Sequence, residues 1–410
     1  MSGAEGRMTP VVLTWFPLVV RPRPPGLPLE ARITELTGLA AEPASGTARE
    51  RASRAAEVLN KAALIASDCG MPALARDLCH RQRALFDQAT PLPGWAIRLA
   101  LQPILNIPRQ RIREGQGQDA CAMLETLYQA ARQRTSAGID GQTVDLSAIT
   151  RTPEDHKTVC TLIWAALLAD GTRALALAGR WKEAADHAAT HRGTGKRLLD
   201  GRQAAILALL HDGQRGKAAD MVEQATITSP CEHAVQALLR VLCLHPASPN
   251  AGHHAGTMLA AARTVLEDPD RSTALARARI GMTALDLAPS SGHLRTRPLR
   301  EALITTASND GYVARDMLAH HHACQSLTAA QHRDLRNLVQ ASGLGAGTIP
   351  RRLHDQLMTA VDRAENTLNH ELAIACSRPP PSRPRLTGPR RLACPTASPP
   401  GPTTSRAMTS

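Results

Sequence analysis

Apolar residues along most of this 410-residue chain recur at spacings of three and four, the period of a helix with one buried face. Ala56, Leu59, Ala63, Ile65 and Ala66 form one such stripe, and Cys121, Leu124, Leu127, Tyr128 and Ala131 form another. The local punctuation agrees with the period. Thr152-Pro153-Glu154-Asp155 places a capping threonine, a first-turn proline and two carboxylates ahead of the apolar run Val159 to Leu168. Thr328 with Gln331 writes a capping box before Leu335 to Val339. Alternation of β-branched residues between turns is not sustained beyond the N-terminal stretch. The pattern therefore predicts an all-α protein with no substantial sheet.

A second regularity lies above the helical period. A glycine is followed by alanine at +5 and aspartate at +7 in Gly70/Ala75/Asp77, Gly179/Ala184/Asp186 and Gly213/Ala218/Asp220, with a weaker copy at Gly115/Ala120/Ala122. An apolar helix is expected before each glycine and an alanine-rich one after it. Glycine permits a tight left-handed turn, and alanine lets the second helix approach the first, so each copy spells a helical hairpin. Gly179 and Gly213 stand 34 residues apart, with Ala218, Val222 and Ala225 following in the second helix. Over roughly Ala48 to Leu244 this resembles the tetratricopeptide repeat. The first helices differ from that family in lacking its large aromatic and glycine positions, the first copy carrying Leu59, Ala62, Ala63 and Ala66. The resemblance implies a right-handed superhelical stack of antiparallel hairpins. A further echo, Val313-Ala314-Arg315-Asp316 after Gly311, extends the expected hairpins to about Leu372.

Four regions follow. Residues 1–29, proline-rich and without helical period, read as a disordered leader. Residues 30–245 hold the repeats, and residues 246–376 are expected to continue the array. Residues 377–410 are rich in Pro, Arg, Ser and Thr and are expected to be a disordered tail. The apolar stretch Thr9 to Val20 contains Pro10 and Pro17, is too short to span a bilayer, and lacks the build of a secretion signal.

Composition changes this picture little. Aromatics are 2% of the chain, as suits close packing of alanine- and leucine-rich helices. Charge is more informative. Of the net +12, six arginines sit in the tail and two net charges in the leader, which leaves +4 for the body. A body so nearly balanced argues against a dedicated nucleic-acid-tracking surface. Nine scattered cysteines with no CxxC pair read as reduced thiols, so the expected compartment is the cytoplasm.

No motif commits the chain to a reaction. His320-His321-His322 with Cys324 lacks further ligands, His253-His254 is sparser, and Cys79-His80 has neighbouring side chains diverging around a helix. Gly193-Thr194-Gly195-Lys196-Arg197 departs from a phosphate loop at its first glycine and after its lysine, and His370-Glu371 lacks a second histidine. No cofactor and no metal are expected. The hairpins' first helices instead present Asn60, Lys61, Gln102, Asn106, Arg109, Arg113 and Arg173 to a groove, where amides and guanidinium groups could hold a peptide backbone and an acidic side chain. Pro103 and Pro108 should bend or break the segment Leu99 to Arg113. The expectation is an interaction or scaffold protein, regulatory in role, that binds a peptide or protein partner. The alternatives are an enzyme with a dispersed site in an all-helical fold and a weak tether to nucleic acid or a membrane surface through the basic tail.

Overall fold

A computed structural model describes residues 15–41, 46–245, 248–289 and 293–377; the expected tail beyond Ser377 and the first 14 residues lie outside them. The described chain is overwhelmingly helical. In order, the α-helices are α1 Leu29–Ala41, α2 Ala48–Asp68, α3 Pro72–Gln88, α4 Ile97–Arg113, α5 Gly117–Gln133, α6 Pro153–Ala166, α7 Thr172–Leu177, α8 Trp181–Thr190 and α9 Asp200–His211. They continue as α10 Arg215–Glu223, α11 Pro230–Cys243, α12 Ala251–Leu266, α13 Ala274–Leu287, α14 His293–Ala307, α15 Gly311–Ala319, α16 His321–Cys324, α17 Ala329–Ala341 and α18 Arg351–Ser377.

The glycines of the repeat do what the spacing predicts. Gly70, Gly115, Gly179 and Gly213 all have φ between +73° and +79° and join α2 to α3, α4 to α5, α7 to α8 and α9 to α10. The alanine at +5 in each copy, Ala75, Ala120, Ala184 and Ala218, is 0% exposed, because it sits where the second helix meets the first. Thr152 accepts a hydrogen bond from the Asp155 amide at 3.0 Å, and Thr328 with Gln331 closes its capping box. Gly311 behaves differently. It opens α15 as a helical residue, and Asp310 caps that helix, so the downstream echo is not a fifth copy of the turn.

Two hydrophobic cores result. One is built from α1 to α6 and α18, around Ile33, Leu59, Leu101, Leu124 and Leu357; the other runs from α7 to α17, around Leu207, Leu238, Met282 and Tyr312. The continuous stretch Pro153–Leu177 joins them, giving Val159, Ile163 and Leu167 to the first core and Leu175 and Ala176 to the second. It is long and apolar enough to cross a membrane by length and composition, and its most apolar 18-residue window is 56% buried inside the protein. Between α6 and α7 its hydrogen bonding widens into one π-turn, Leu167–Gly171.

The structure departs from expectation at two places and refines it at two more, where a helix passes both prolines without a break and where a hairpin too small to be a substantial sheet is added. Residues 15–28 are not an unstructured leader: they run as an extended strap along the helices, with Phe16 5% and Leu18 2% exposed. Nor does the last helix carry an array onward, since α18 packs back against α1 and α2. The loop before it makes this return possible. Gly343, Gly345 and Gly347 all have positive φ, and the amides of Gly345 and Gly347 donate to the Asp68 and Cys69 carbonyls at the end of α2. Third, α4 is unbroken through Pro103 and Pro108, which are both buried in its packed face. Fourth, a two-stranded hairpin pairs β1 Ser136–Ile139 with β2 Gln142–Asp145, Ile139 opposite Gln142. Its turn is Asp140-Gly141, both at positive φ, the sequence a tight primed turn demands.

Candidate ligand-binding groove

The strap is held by charge and by its backbone. Arg21 bridges two buried carboxylates, Asp170 in the π-turn and Asp200 at the start of α9, the second at 2.8 Å. Asp200 also accepts the Val19 amide at 2.8 Å, and Arg173 donates to the Val19 carbonyl at 2.7 Å. Further along, the Arg23 guanidinium lies 3.5 Å above the Tyr312 ring and 3.6 Å from Asp68, and the Gly26 amide donates to Asp310 at 2.9 Å. Asp68 is a shared anchor, also receiving Arg32 at 2.6 Å and the Tyr312 hydroxyl. Burial and the neighbouring Asp68 carboxylate push the Tyr312 phenol above its ordinary pKa.

Beside the strap lies a half-open cavity of about 830 Å³, walled by Val19, Arg21 and Arg23 of the strap and by α2, α4, α7 and α13. All seven residues expected in a groove, Asn60, Lys61, Gln102, Asn106, Arg109, Arg113 and Arg173, line it. Helical spacing accounts for the convergence: Ser53, Glu57, Asn60, Lys61 and Leu64 stand on one face of α2, and Gln102, Asn106, Arg109 and Arg113 on one face of α4.

These side chains form one hydrogen-bond relay. Asn60 donates to Gln102 at 2.7 Å, Asn106 donates to Asn60 at 2.9 Å, and Arg109 donates to Asn106 at 3.2 Å. Arg109 then pairs with Asp170 at 2.8 Å, and Asp170 leads through Arg21 to Asp200 and the strap. Lys61 stands apart, paired with Glu35 at 2.7 Å and Glu57 at 2.9 Å. Arg113 donates to the Ser67 hydroxyl at 2.8 Å and pairs with no carboxylate among the described residues. Burial pushes its guanidinium below the usual pKa, with repulsion from Arg23 and Arg109 adding to the effect. Burial does the same to Arg173, against the pull of Asp200, and Arg21 and Arg279 reinforce it. The Arg173 Nε has no partner.

Seven polar lining groups were not anticipated, four of them off the helical stripes of α2 and α4. Arg21 and Arg23 come from the presumed leader, Asp170 from the π-turn, and Arg279 from α13, where it pairs with Asp316 at 2.7 Å. Extending the helical stripe would have found Ser53, Glu57 and Gln110. No sequence signal ties the strap or α13 to this place.

The motifs set aside as chemistry have ordinary structural employment. His320 caps α16, accepting from the Ala323 amide, and faces Asp286 at 3.1 Å. No group of three or more His, Cys, Asp or Glu among the described residues could hold a metal ion. Cys79 is buried, which pushes its thiol up to about 12, while His80 turns away toward Asp140 at 3.3 Å. Gly193 to Arg197 connects α8 to α9. Glu371 clamps Arg51 through two hydrogen bonds of 2.6 and 2.9 Å. Comparison of the chain with protein-family models, with curated proteins and with solved structures found no match.

Proposed function

We propose that this chain is an interaction protein of the helical-repeat kind, its hairpins stacked in a right-handed superhelix like that of tetratricopeptide proteins, and that its groove receives an extended peptide segment of a partner. The observation that carries this reading is the occupant already there. An extended stretch of the chain itself lies along the groove, with the Val19 carbonyl hydrogen-bonded by Arg173 of the groove, the Val19 amide by Asp200 next to it, and Arg21 set between two carboxylates. A surface that holds one extended backbone in this way has the donors, acceptors and shape to hold a second beside it, and about 830 Å³ of space remains for it. The role is regulatory or scaffolding rather than catalytic, and the free cysteines of the described chain fit a reducing cytoplasm.

The test is selection of a phage-displayed peptide library on the full chain, counter-screened with an Asn106→Ala/Arg109→Ala double variant. Enrichment of a shared sequence by the wild type and its loss in the variant is the expected result. Failure of any sequence to enrich over background refutes the reading.

A further inference from the structure

The charge left inside the cavity says more about what enters it. Seven cationic side chains line it, Arg21, Arg23, Lys61, Arg109, Arg113, Arg173 and Arg279, against the carboxylates of Glu57 and Asp170. Four of the seven are also neutralised from behind the lining, Arg21 by Asp200, Arg23 by Asp68, Lys61 by Glu35 and Arg279 by Asp316, which leaves Arg109, Arg113 and Arg173 the least compensated. Both carboxylates are already engaged, Glu57 by Lys61 and Asp170 by Arg21 and Arg109. Once the relay is complete, the polar atoms of its members without a partner are donors, the Gln102 amide nitrogen and the second Arg109 terminal nitrogen, while Arg113 beside it has one hydroxyl as its acceptor. Guanidinium groups offer donors and no acceptor. Cations gathered in a partly desolvated place repel one another and cost stability unless an anion joins them.

We propose that the groove takes an acidic segment, one whose side-chain carboxylates reach Arg109, Arg113 and Arg173 together. This rests on the groove being a peptide site and adds the charge of the peptide. Paired, planar donors suit carboxylates bound two hydrogen bonds at a time, and a small polyphosphate presents the same chemistry from a second source.

The experiment is fluorescence anisotropy of the full chain with fluorescein-labelled hexaglutamate and with an uncharged Gly-Ser hexapeptide carrying the same label. Pyrophosphate binding is measured separately by titration calorimetry. Hexaglutamate should bind, weaken between 50 and 300 mM salt, and lose roughly tenfold or more in affinity in Arg109→Met and in Arg113→Met. The surface variant Arg98→Met should bind as the wild type does. Because Arg113 pairs with no carboxylate, Arg113→Met should melt at or above the wild-type temperature, which separates lost binding from lost folding. Equal affinity for the uncharged peptide overturns the charge inference and leaves the peptide groove standing. Unchanged hexaglutamate affinity in Arg113→Met overturns it as well. Binding of pyrophosphate without either peptide sustains the anion site and overturns the peptide reading, and failure of all three probes overturns both.

Discussion

Replacing Arg21 by methionine removes a cation set between two carboxylates whose side chains are 6% and 9% exposed. Removing one partner of a buried ion pair typically costs about 3–5 kcal/mol, because the other charge stays buried and uncompensated. Here the cost is smaller. Asp170 keeps Arg109 at 2.8 Å, Asp200 keeps the Val19 amide at 2.8 Å and Arg173 at 3.8 Å, and the Arg21 side chain is itself 32% exposed. Solvent screening of a group so exposed brings the expected loss to about 2 kcal/mol. Urea unfolding read by tryptophan fluorescence is the assay, since Trp181 packs edge-on to Phe16 of the strap and Trp15 packs against His320. The midpoint should fall with little change in slope. Adding Asp200→Asn should recover part of the loss, because one of the stranded charges is then gone. A loss below about 0.5 kcal/mol, or a double variant that behaves as the sum of two independent losses, would refute the account of how the strap is held.

Other consequences are local. Gly213 has φ +74° and open space around it, so Gly213→Ala should cost about 1 kcal/mol from backbone strain alone. A Cβ on Gly201 would meet the Gly193 carbonyl oxygen at 2.6 Å, where backbone must move, and Gly201→Ala should cost about 2–3 kcal/mol. Thermal melts that reverse this order contradict the packing of α9 against its leading loop. Burial pushes Cys79 up to about 12 and Cys69 to about 11, so neither should react with iodoacetamide at pH 8 until the chain unfolds. Both pKa values are raised on folding. The stability they represent is therefore present below the unfolded thiol value of about 8.5 and falls as pH rises through 9 to 11, which urea midpoints across that range would reveal.

What could be read in the sequence was whatever is written locally. The four turn glycines, the buried alanine five residues after each, the Thr152 and Thr328 caps, and the polar stripes of α2 and α4 depend on neighbours within a turn or two. The stripes of α2 and α4, with Arg173 of α7, border one cavity. The β-hairpin was not read, because strands of four residues are drowned by the helical pattern on both sides of the Asp140-Gly141 turn. The strap was not legible. Its prolines forbid a helix, and the partners that order it stand 149 and 179 residues from Arg21. The same is true of the return of α18, which depends on a glycine loop docking onto the end of α2 far back along the chain. The near-neutral body charge is uninformative in a different way. An average over some 350 residues conceals a cavity where cations collect, and two of those cations belong to the stretch taken for a leader.

The strap also sets the charge of the groove beside it. Asp170 already pairs with Arg109 at 2.8 Å, Asp200 stands 3.8 Å from Arg173, and Asp68 attracts Arg113; without competition each carboxylate would draw more strongly on its groove arginine and leave less for an incoming anion. Arg21 and Arg23 engage those same three carboxylates from the strap side. The groove cations are thereby left in excess. It follows that Arg21→Met should weaken hexaglutamate binding several-fold although the ligand need not touch Arg21, because Asp170 and Asp200 would then compete for Arg109 and Arg173. The anisotropy titration should be run below the urea concentration at which that variant begins to unfold. An affinity equal to that of the wild type would mean that the strap supports the fold without tuning the groove, and the charge of the cavity would then have to be explained by α2, α4, α7 and α13 alone.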